Sequence, residues 1–317
     1  MPPATTWSTA EWQLYEPKQS AHAGKTNKMI YSEPRFQPGG DRFILIEFGN
    51  EMNLELNFMA HGLASLIAEN KVKGVIETSP GYATLLVHYE PRDISFIRLQ
   101  EEIADLAQLI GPSDDVELDS RLFYFPTAYL DPWSSEAVDL YIEKIAEKQR
   151  DPELLVEHNN LADVHELVRI HSASEYWVAA IGWWPGVPFM MPLDPRCRLT
   201  APRYNPPRVW TKKGTVGVGG GTTGIYPEDL PGGIQIFART PIPIWDREQR
   251  FQIFEDSICL LRPGDRVKFV PCTLDEFEAV ERKIEEGSYA FNVVKYQKFS
   301  VPNYRLWTNM IDADTHF

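Results

Sequence analysis

A glycine-dense stretch at residues 214–233, GTVGVGGGTTGIYPEDLPGG, limits the folds open to this chain. Within it, residues 219–224 (GGGTTG) satisfy the G-x-G-x-x-G template of a dinucleotide-binding loop. Such a loop needs a helix after it, because the pyrophosphate lies on the helix N-terminus. Here Pro227, Pro231 and a glycine pair follow at once, so no helix can begin. We therefore predict a chance match, and a glycine-rich turn between two strands.

The segment around this turn, residues 176–270, predicts a β-barrel or sandwich. It is rich in Gly and Pro, it lacks helical periodicity, and it contains short apolar runs such as YWVAAIGWW, IQIFART and VKFVP. Glycines in such turns allow positive φ and close backbone approach. Their N–H groups could form a concave site for a developing negative charge, or they could serve only as tight corners. Both alternatives remain open at this point.

The preceding segment, residues 41–116, predicts a small α+β domain. FILIEF at 43–48 is a strand, and two further strands at 74–78 and 82–89 are joined by a short turn. Apolar residues recur at helical spacing between residues 59 and 67 and again between 96 and 110. The resulting order is β-α-β-β-α, and the fold class of the whole chain is α+β.

The remaining segments complete the predicted domain organisation. Residues 1–40 lack periodicity and predict an extended N-terminal arm. Residues 117–290 form the β-barrel domain with a helical insertion at 131–171, and we expect the highly charged first part of this insertion, residues 131–150, to be exposed. A helix at 275–287 follows the last barrel strand, and residues 291–317 form a C-terminal tail.

Composition indicates which partners and compartments to expect. Lys and Arg total 31 against 45 Asp and Glu, a net charge of −14 that argues against nucleic acid and anionic membranes. The three cysteines, Cys197, Cys259 and Cys272, form no CxxC pair and fit a reducing compartment. The first residues lack the basic and apolar regions of a signal peptide. We therefore expect a cytoplasmic location without a membrane or nucleic-acid partner.

Residue motifs for common catalytic chemistries are missing from the sequence. It contains neither G-x-S-x-G nor H-E-x-x-H. His158, His165 and His171 are six or seven residues apart, not the spacing that places two metal ligands on one helix face, so we expect no metal site. His171 lies on an apolar face, which by itself is typical of a buried core histidine.

The run HSASEYWVAAIGWWPGVPFMMPLDPRCRLTAPRYNPPRVWTKKGTVGVGGGTTGIYPEDLPGGIQIFARTP, which starts at His171, resembles the allophanate hydrolase subunit 1 family. That family includes KipI, one subunit of bacterial 5-oxoprolinase and one half of the carboxyltransferase domain of urea carboxylase. The resemblance implies a small α+β domain followed by a cyclophilin-like β-barrel. The family pattern falls on His171, Tyr176, Val178, Gly182, Pro185, Gly186, Pro188, Arg203, Arg208, Gly214, Gly217, Thr223, Gly224, Tyr226, Pro227, Pro231, Gly232, Gly233, Arg239, Thr240 and Pro241.

The resemblance implies one half-subunit of a biotin-dependent carboxyltransferase acting on a urea, amide, lactam or ketone acceptor. A homologous second half-subunit would complete the active site. A biotin carboxylase with its biotin carrier would be a further partner, and ATP would be used by a partner subunit. Two alternatives stay open: a component of an ATP-dependent 5-oxoprolinase or allophanate hydrolase-like amidohydrolase, and a KipI-like regulatory binder of a histidine kinase.

The resemblance also suggests roles for individual residues. His171, Tyr226 and Arg239 are the candidate catalytic residues: His171 would orient a loop or move a proton, and the other two would line the acceptor or biotin pocket. Fixed guanidinium groups and glycine-turn N–H groups suit the stabilisation of a negative oxygen. The candidate substrate-binding residues are Pro185, Gly186, Arg203, Arg208, Gly219, Gly220, Gly221, Thr222 and Thr223.

The chain departs from the family pattern at several positions. Aliphatic or small residues stand where the pattern has an aromatic residue (Val187), a glutamine (Thr222), a tryptophan (Ile234) and a glycine (Ala238), and Met191-Pro192 replaces a glycine pair. These departures leave the identity of the acceptor open.

Overall fold

The computed structural model describes residues 30–110, 117–313 and 315. Most of the predicted N-terminal arm, the predicted domain boundary near residue 116 and the last residues of the predicted tail lie outside these ranges. None of the described helices is long and apolar enough to cross a lipid bilayer.

The N-terminal unit is an antiparallel sheet of four strands: β1 (Ile30–Gly39), β2 (Phe43–Gly49), β3 (Val75–Pro80) and β4 (Thr84–Tyr89), in the order β1-β2-β4-β3. Alternate residues of β2 and β4 are buried with the apolar faces of α1 (Leu54–Glu69) and α2 (Phe96–Gln108). Asn53 and Ser95 cap the two helices. The predicted β-α-β-β-α order is confirmed. Residues 30–39, which we expected in the arm, instead pair with β2.

The larger unit is a closed barrel of seven strands: β5 (Glu117–Tyr129), β6 (Glu175–Ile181), β7 (Pro188–Pro192), β8 (Thr215–Gly219), β9 (Thr222–Ile225), β10 (Gln235–Arg239) and β11 (Arg266–Pro271). Their order is β10-β8-β9-β7-β6-β11-β5. The ring closes because Ala238 of β10 pairs with Tyr129 of β5. The predicted barrel is therefore confirmed, and its interior forms the largest apolar core of the described residues.

Three helices lie between β5 and β6: α3 (Pro132–Lys144), α4 (Asp151–His158) and α5 (Val164–Ala173). They occupy the predicted helical insertion. Our expectation that the charged residues 131–150 are exposed is wrong in part. Tyr141 of α3 is buried, and so is the Asp151 carboxyl group at the start of α4.

The last described elements are α6 (Leu274–Glu285), β12 (Val293–Ser300) and α7 (Val301–Thr308). β12 pairs with β5, so the predicted tail contains a strand that extends the sheet. Tyr304 of α7 packs its ring 5.5 Å from that of Phe58 on α1. Asn57 of α1 accepts a hydrogen bond from the Trp177 indole N–H over 2.7 Å. These contacts join the barrel to the N-terminal unit.

Candidate functional site

Tyr226 follows β9 directly and lines two cavities at once. Its backbone is fixed on both sides, because its N–H donates to Thr215 over 2.9 Å and its carbonyl accepts from Gly214 over 2.7 Å. Its ring lies against Gly232, where a Cβ atom would be 1.7 Å from the Tyr226 hydroxyl oxygen. Only glycine at position 232 therefore allows this ring position.

The smaller cavity has a volume of about 230 Å³. Most of its wall is apolar and comes from β7, β9 and the segment before β10: Val187, Phe189, Ile225, Leu230, Pro231 and Ile234. The polar side chains in the wall are Arg203, Thr222 and Tyr226. The exposed Trp183 indole stands at its edge.

The larger cavity has a volume of about 620 Å³ and also has Tyr226 in its wall. Its wall is rich in charged and aromatic side chains, including Trp133, Glu228, Arg239, Trp245, Arg250 and Glu281. Both cavities share Tyr226 and Pro227 as lining residues. The two cavities are therefore adjacent.

Arg239 is a buried charged group of the larger cavity that is held on several sides. Its Nε donates to the Lys213 carbonyl over 2.9 Å, and its Nη2 donates to Glu281 over 3.0 Å. The guanidinium carbon lies 4.7 Å from the ring centre of Trp133 and 4.9 Å from that of Phe277. With 3% of its side chain exposed, the group is fixed in orientation and is always charged.

Arg208 is buried behind the smaller cavity and is used to build its wall. Its Nη2 donates to the Tyr226 hydroxyl over 3.2 Å, and its Nη1 donates to the Ile234 carbonyl over 2.8 Å. Its Nε donates to Thr211 over 3.1 Å. Every guanidinium nitrogen therefore has a partner within the chain.

A buried carboxylate, Asp151, lies beneath Arg208. It accepts from the Lys148 ammonium, from the Tyr204 hydroxyl and, over 2.7 Å, from the Ile236 N–H. The Arg208 guanidinium is 3.7 Å away. Burial lowers the pKa of Lys148, and the nearby Asp151 partly offsets this. This cluster connects the helical insertion to the start of β10.

A family model described as the carboxyltransferase domain, subdomain C and D, matches residues 34–254. The chain belongs to this family. Our prediction from the sequence pattern is thereby confirmed, together with the α+β fold. The chain is 32% identical to a urea amidolyase of Lachancea kluyveri over 89% of its own length but only 16% of that protein. It is 30% identical to a 5-oxoprolinase subunit of Bacillus subtilis, over 77% of this chain and 95% of that relative.

Solved structures agree with this assignment. The K. lactis urea amidolyase superposes with a TM-score of 0.77 and 26% identity, over 90% of this chain and 18% of that one. The Kluyveromyces lactis urea carboxylase gives a TM-score of 0.76 at 27% identity, over 87% of this chain and 25% of that one. The chain thus spans about a sixth of the urea amidolyases it matches in sequence.

Within this carboxyltransferase fold, GGGTTG forms the turn between β8 and β9, as predicted from Pro227. Gly220 has a φ of +65°, and its N–H donates to the Ala201 carbonyl over 2.8 Å. Thr222 and Thr223 pair with Gly219 and Val218 in the β8–β9 ladder. The Gly220 donor is therefore used inside the chain, and Thr222 is the turn residue that reaches the smaller cavity.

His171 lies in the barrel core and lines neither cavity. Its Nδ1 is 2.7 Å from the Tyr129 hydroxyl, and the rings of Phe237 and Phe269 lie within 4.9 Å. Burial lowers the pKa of His171 to about 3. The ring is therefore neutral across the physiological range.

Some of the other predicted site residues line the smaller cavity, and others lie in loops outside both cavities. Arg203 and Thr222 meet Tyr226 at the smaller cavity. Gly186, with a φ of +80°, and the neighbouring Pro185 lie in the loop between β6 and β7. A Cβ on Gly186 would be 2.7 Å from the Ile244 carbonyl, and that on Gly221 would be 3.1 Å from the Arg198 guanidinium.

Sequence reasoning missed two residues that line the larger cavity and one that lies beside wall residues of the smaller cavity. Trp133 and Glu281 belong to helices α3 and α6 and hold Arg239. Tyr82 comes from the N-terminal unit and lies beside Thr222 and Arg203. Burial raises the pKa of its hydroxyl, which those two residues partly offset. No sequence signal marks them, because each is brought to the site by a distant segment.

The described ranges contain no group of His, Cys, Asp and Glu side chains arranged to hold a metal ion.

Proposed function

We propose that this chain is one half-subunit of a biotin-dependent carboxyltransferase that acts on a urea, amide, lactam or ketone acceptor. A homologous second half-subunit completes the site, and a biotin carboxylase with its carrier supplies the biotin and uses ATP. The observation that carries the proposal is the fixed Arg239 guanidinium beside a large cavity in a carboxyltransferase fold.

The larger cavity has the chemistry that a biotin ring system requires. The Trp133 and Trp245 rings offer apolar surfaces, and Arg239 offers donors for a ureido oxygen. When bound, carboxybiotin would supply the activated carboxyl group there. The cavity is also bordered by the carboxylates Glu228 and Glu281, of which Glu281 holds Arg239 in place.

Arg239 acts in this proposal by stabilising negative charge that develops on an oxygen in the larger cavity. A guanidinium group held by a carbonyl, a carboxylate and two rings needs no reorganisation when the charge appears. Loss of one such donor typically costs about two to three orders of magnitude in rate.

Tyr226 orients the acceptor between the two cavities. Its hydroxyl oxygen accepts from Arg208, so its own proton is directed to a different acceptor, such as a carbonyl oxygen of the bound molecule. His171 acts by holding the barrel core through Tyr129, since a neutral, buried ring in no cavity wall is poorly suited to move a proton to the acceptor.

The test is affinity purification of the full chain from its own cells, followed by assays of the isolated complex. We expect a homologous half-subunit and a biotinylated protein to copurify. We also expect urea or an amide to stimulate ATP hydrolysis that avidin abolishes. A purified complex without a biotinylated protein, in which acceptor-dependent ATP hydrolysis survives avidin, would contradict the proposal.

A second candidate is a component of an ATP-dependent 5-oxoprolinase-like amidohydrolase. It is favoured by the match that covers 95% of the Bacillus subtilis 5-oxoprolinase subunit. ATP hydrolysis that depends on 5-oxoproline and is insensitive to avidin would identify this function.

A further inference from the structure

The smaller cavity differs in character from the larger one. Its wall is dominated by the side chains of Val187, Phe189, Ile225, Leu230 and Ile234, and its edge carries the Trp183 indole. Apolar surface of this kind gains free energy when it is covered by an apolar group. A small molecule that exposes only polar groups would gain little free energy from contact with this apolar wall.

The polar groups of the cavity are few and suit one carbonyl. Tyr226 offers its hydroxyl proton, and Arg203 offers a guanidinium group at the exposed side. The Thr222 hydroxyl donates to the Gly219 carbonyl over 3.1 Å and lies beside the Tyr82 hydroxyl, so one lone pair of its oxygen remains to accept from an N–H group. Two donors and one acceptor at an apolar wall match an amide with an aliphatic substituent.

The size of the cavity restricts that substituent. A volume of about 230 Å³ lies below the roughly 300–1,000 Å³ typical of sites for drug-sized ligands. Three of the positions where the chain departs from the family pattern, Val187, Thr222 and Ile234, line this cavity. Ile234 packs on the β8 glycines, since a Cβ on Gly219 would be 2.5 Å from its Cγ2 atom.

We infer that the acceptor of this carboxyltransferase is a short-chain aliphatic amide rather than urea. The aliphatic group packs against the wall formed by Val187, Ile225 and Ile234, and the amide carbonyl accepts a hydrogen bond from the Tyr226 hydroxyl. The inference rests on the proposed function, because it names the acceptor class for the same site.

The test is a calorimetric titration of the full chain with urea, acetamide, isobutyramide and isovaleramide. Affinity is expected to rise along the amide series by about three- to fourfold per buried methylene group, with urea binding most weakly. Val187→Phe and Ile234→Trp fill the cavity and are expected to weaken isovaleramide binding at least tenfold. The matched control is Val209→Trp, at an exposed position outside the cavity wall.

Unfolding temperatures identify variants that fail to fold, and the amide series on the unchanged chain does not depend on any variant. Equal affinity for urea and isovaleramide would overturn the inference, as would isovaleramide binding that survives both filling variants unchanged. If the purified complex carboxylates urea but the affinity does not rise along the amide series, the inference fails and the proposed function stands. If amides bind as expected but no complex transfers a carboxyl group, the proposed function fails instead.

Discussion

Arg208 donates to the Tyr226 hydroxyl over 3.2 Å while the carboxylate of Asp151 lies 3.7 Å from the same guanidinium group. Tyr226, which lines both cavities, is therefore held by the Arg208 guanidinium, and Asp151 of the helical insertion balances the charge of that group. Arg208 is itself 1% exposed, so this arrangement is shielded from bulk solvent. Hydrogen bonds to charged groups in such surroundings are stronger than those between neutral groups.

Tyr226→Phe removes the acceptor of a buried guanidinium donor. We expect a loss of about 1.5–3 kcal/mol in the free energy of unfolding. The comparison is Tyr304→Phe, where the hydroxyl donates to the neutral Leu193 carbonyl over 3.0 Å and the expected loss is about 0.5–1.5 kcal/mol. Denaturant unfolding measures both, and a larger loss for Tyr304→Phe would contradict the proposed importance of the Arg208 contact.

Gly232→Ala introduces a Cβ atom 1.7 Å from the Tyr226 hydroxyl oxygen, so the ring must move. We expect a loss of about 1–3 kcal/mol in stability and weaker amide binding in the smaller cavity. The neighbouring Gly233→Ala is the control, because its Cβ would meet nothing closer than 3.6 Å. Unfolding experiments should show Gly233→Ala within about 0.5 kcal/mol of the unchanged chain, and titration measures amide binding by Gly232→Ala. Equal effects of the two substitutions would rule out the steric explanation.

Asp151→Ala leaves Lys148 and Arg208 without their buried counter-charge. We expect a loss of about 3–5 kcal/mol in the free energy of unfolding. Asp139→Ala removes the partner of Arg150 in an ion pair whose side chains are about half exposed, and we expect about 0–1 kcal/mol. Thermal unfolding distinguishes them. A small effect at Asp151 would show that the cluster relaxes by admitting water.

Stability should fall as the solution is acidified below pH 6.5. Burial lowers the pKa of His61 to about 4 and that of His171 to about 3, so the unfolded chain binds more protons than the folded chain between these values and 6.5. Above pH 6.5 both histidines are neutral in the folded and the unfolded chain, and the free energy of unfolding keeps its full value. The stabilisation is lost as pH falls towards the folded-state pKa, by up to about 1.4 kcal/mol per pH unit for each histidine.

The histidine contribution can be separated from that of the carboxylates. His171→Gln should flatten the slope of unfolding free energy against pH between about pH 4 and 6.5. The exposed His165→Gln serves as the comparison for a histidine substitution at the surface. An identical slope in His171→Gln and the unchanged chain would show that His171 does not titrate in this way.

Arg239→Lys keeps the charge but loses the planar donors that face Lys213 and Glu281. In the reassembled complex we expect carboxyl transfer to fall by about two to three orders of magnitude. Arg282→Lys, an exposed position on α6, should retain full activity. Steady-state kinetics of both variants test this, and an active Arg239→Lys enzyme would remove Arg239 from the mechanism.

Local signals in the sequence determined the barrel strands, the glycine turn and the two amphipathic helices of the N-terminal unit. Pro227 alone excluded a helix after GGGTTG, because its ring and missing N–H act on its immediate neighbours. Order-specific matches of small residues such as Gly232 identified the family.

Only the tertiary structure decided which charged and polar groups are buried and which residues meet at a cavity. Asp151 directly follows the charged segment 131–150 that the sequence suggested was exposed, yet it is buried and bonds to Tyr204 and Ile236, far away along the chain. Trp133 and Glu281 reach the larger cavity from two different helices, and Tyr82 reaches Thr222 and Arg203 from the N-terminal unit. Desolvation and ion pairing depend on distances through space, whereas periodicity and turn chemistry depend on neighbours along the chain, so only the latter can be predicted from one sequence.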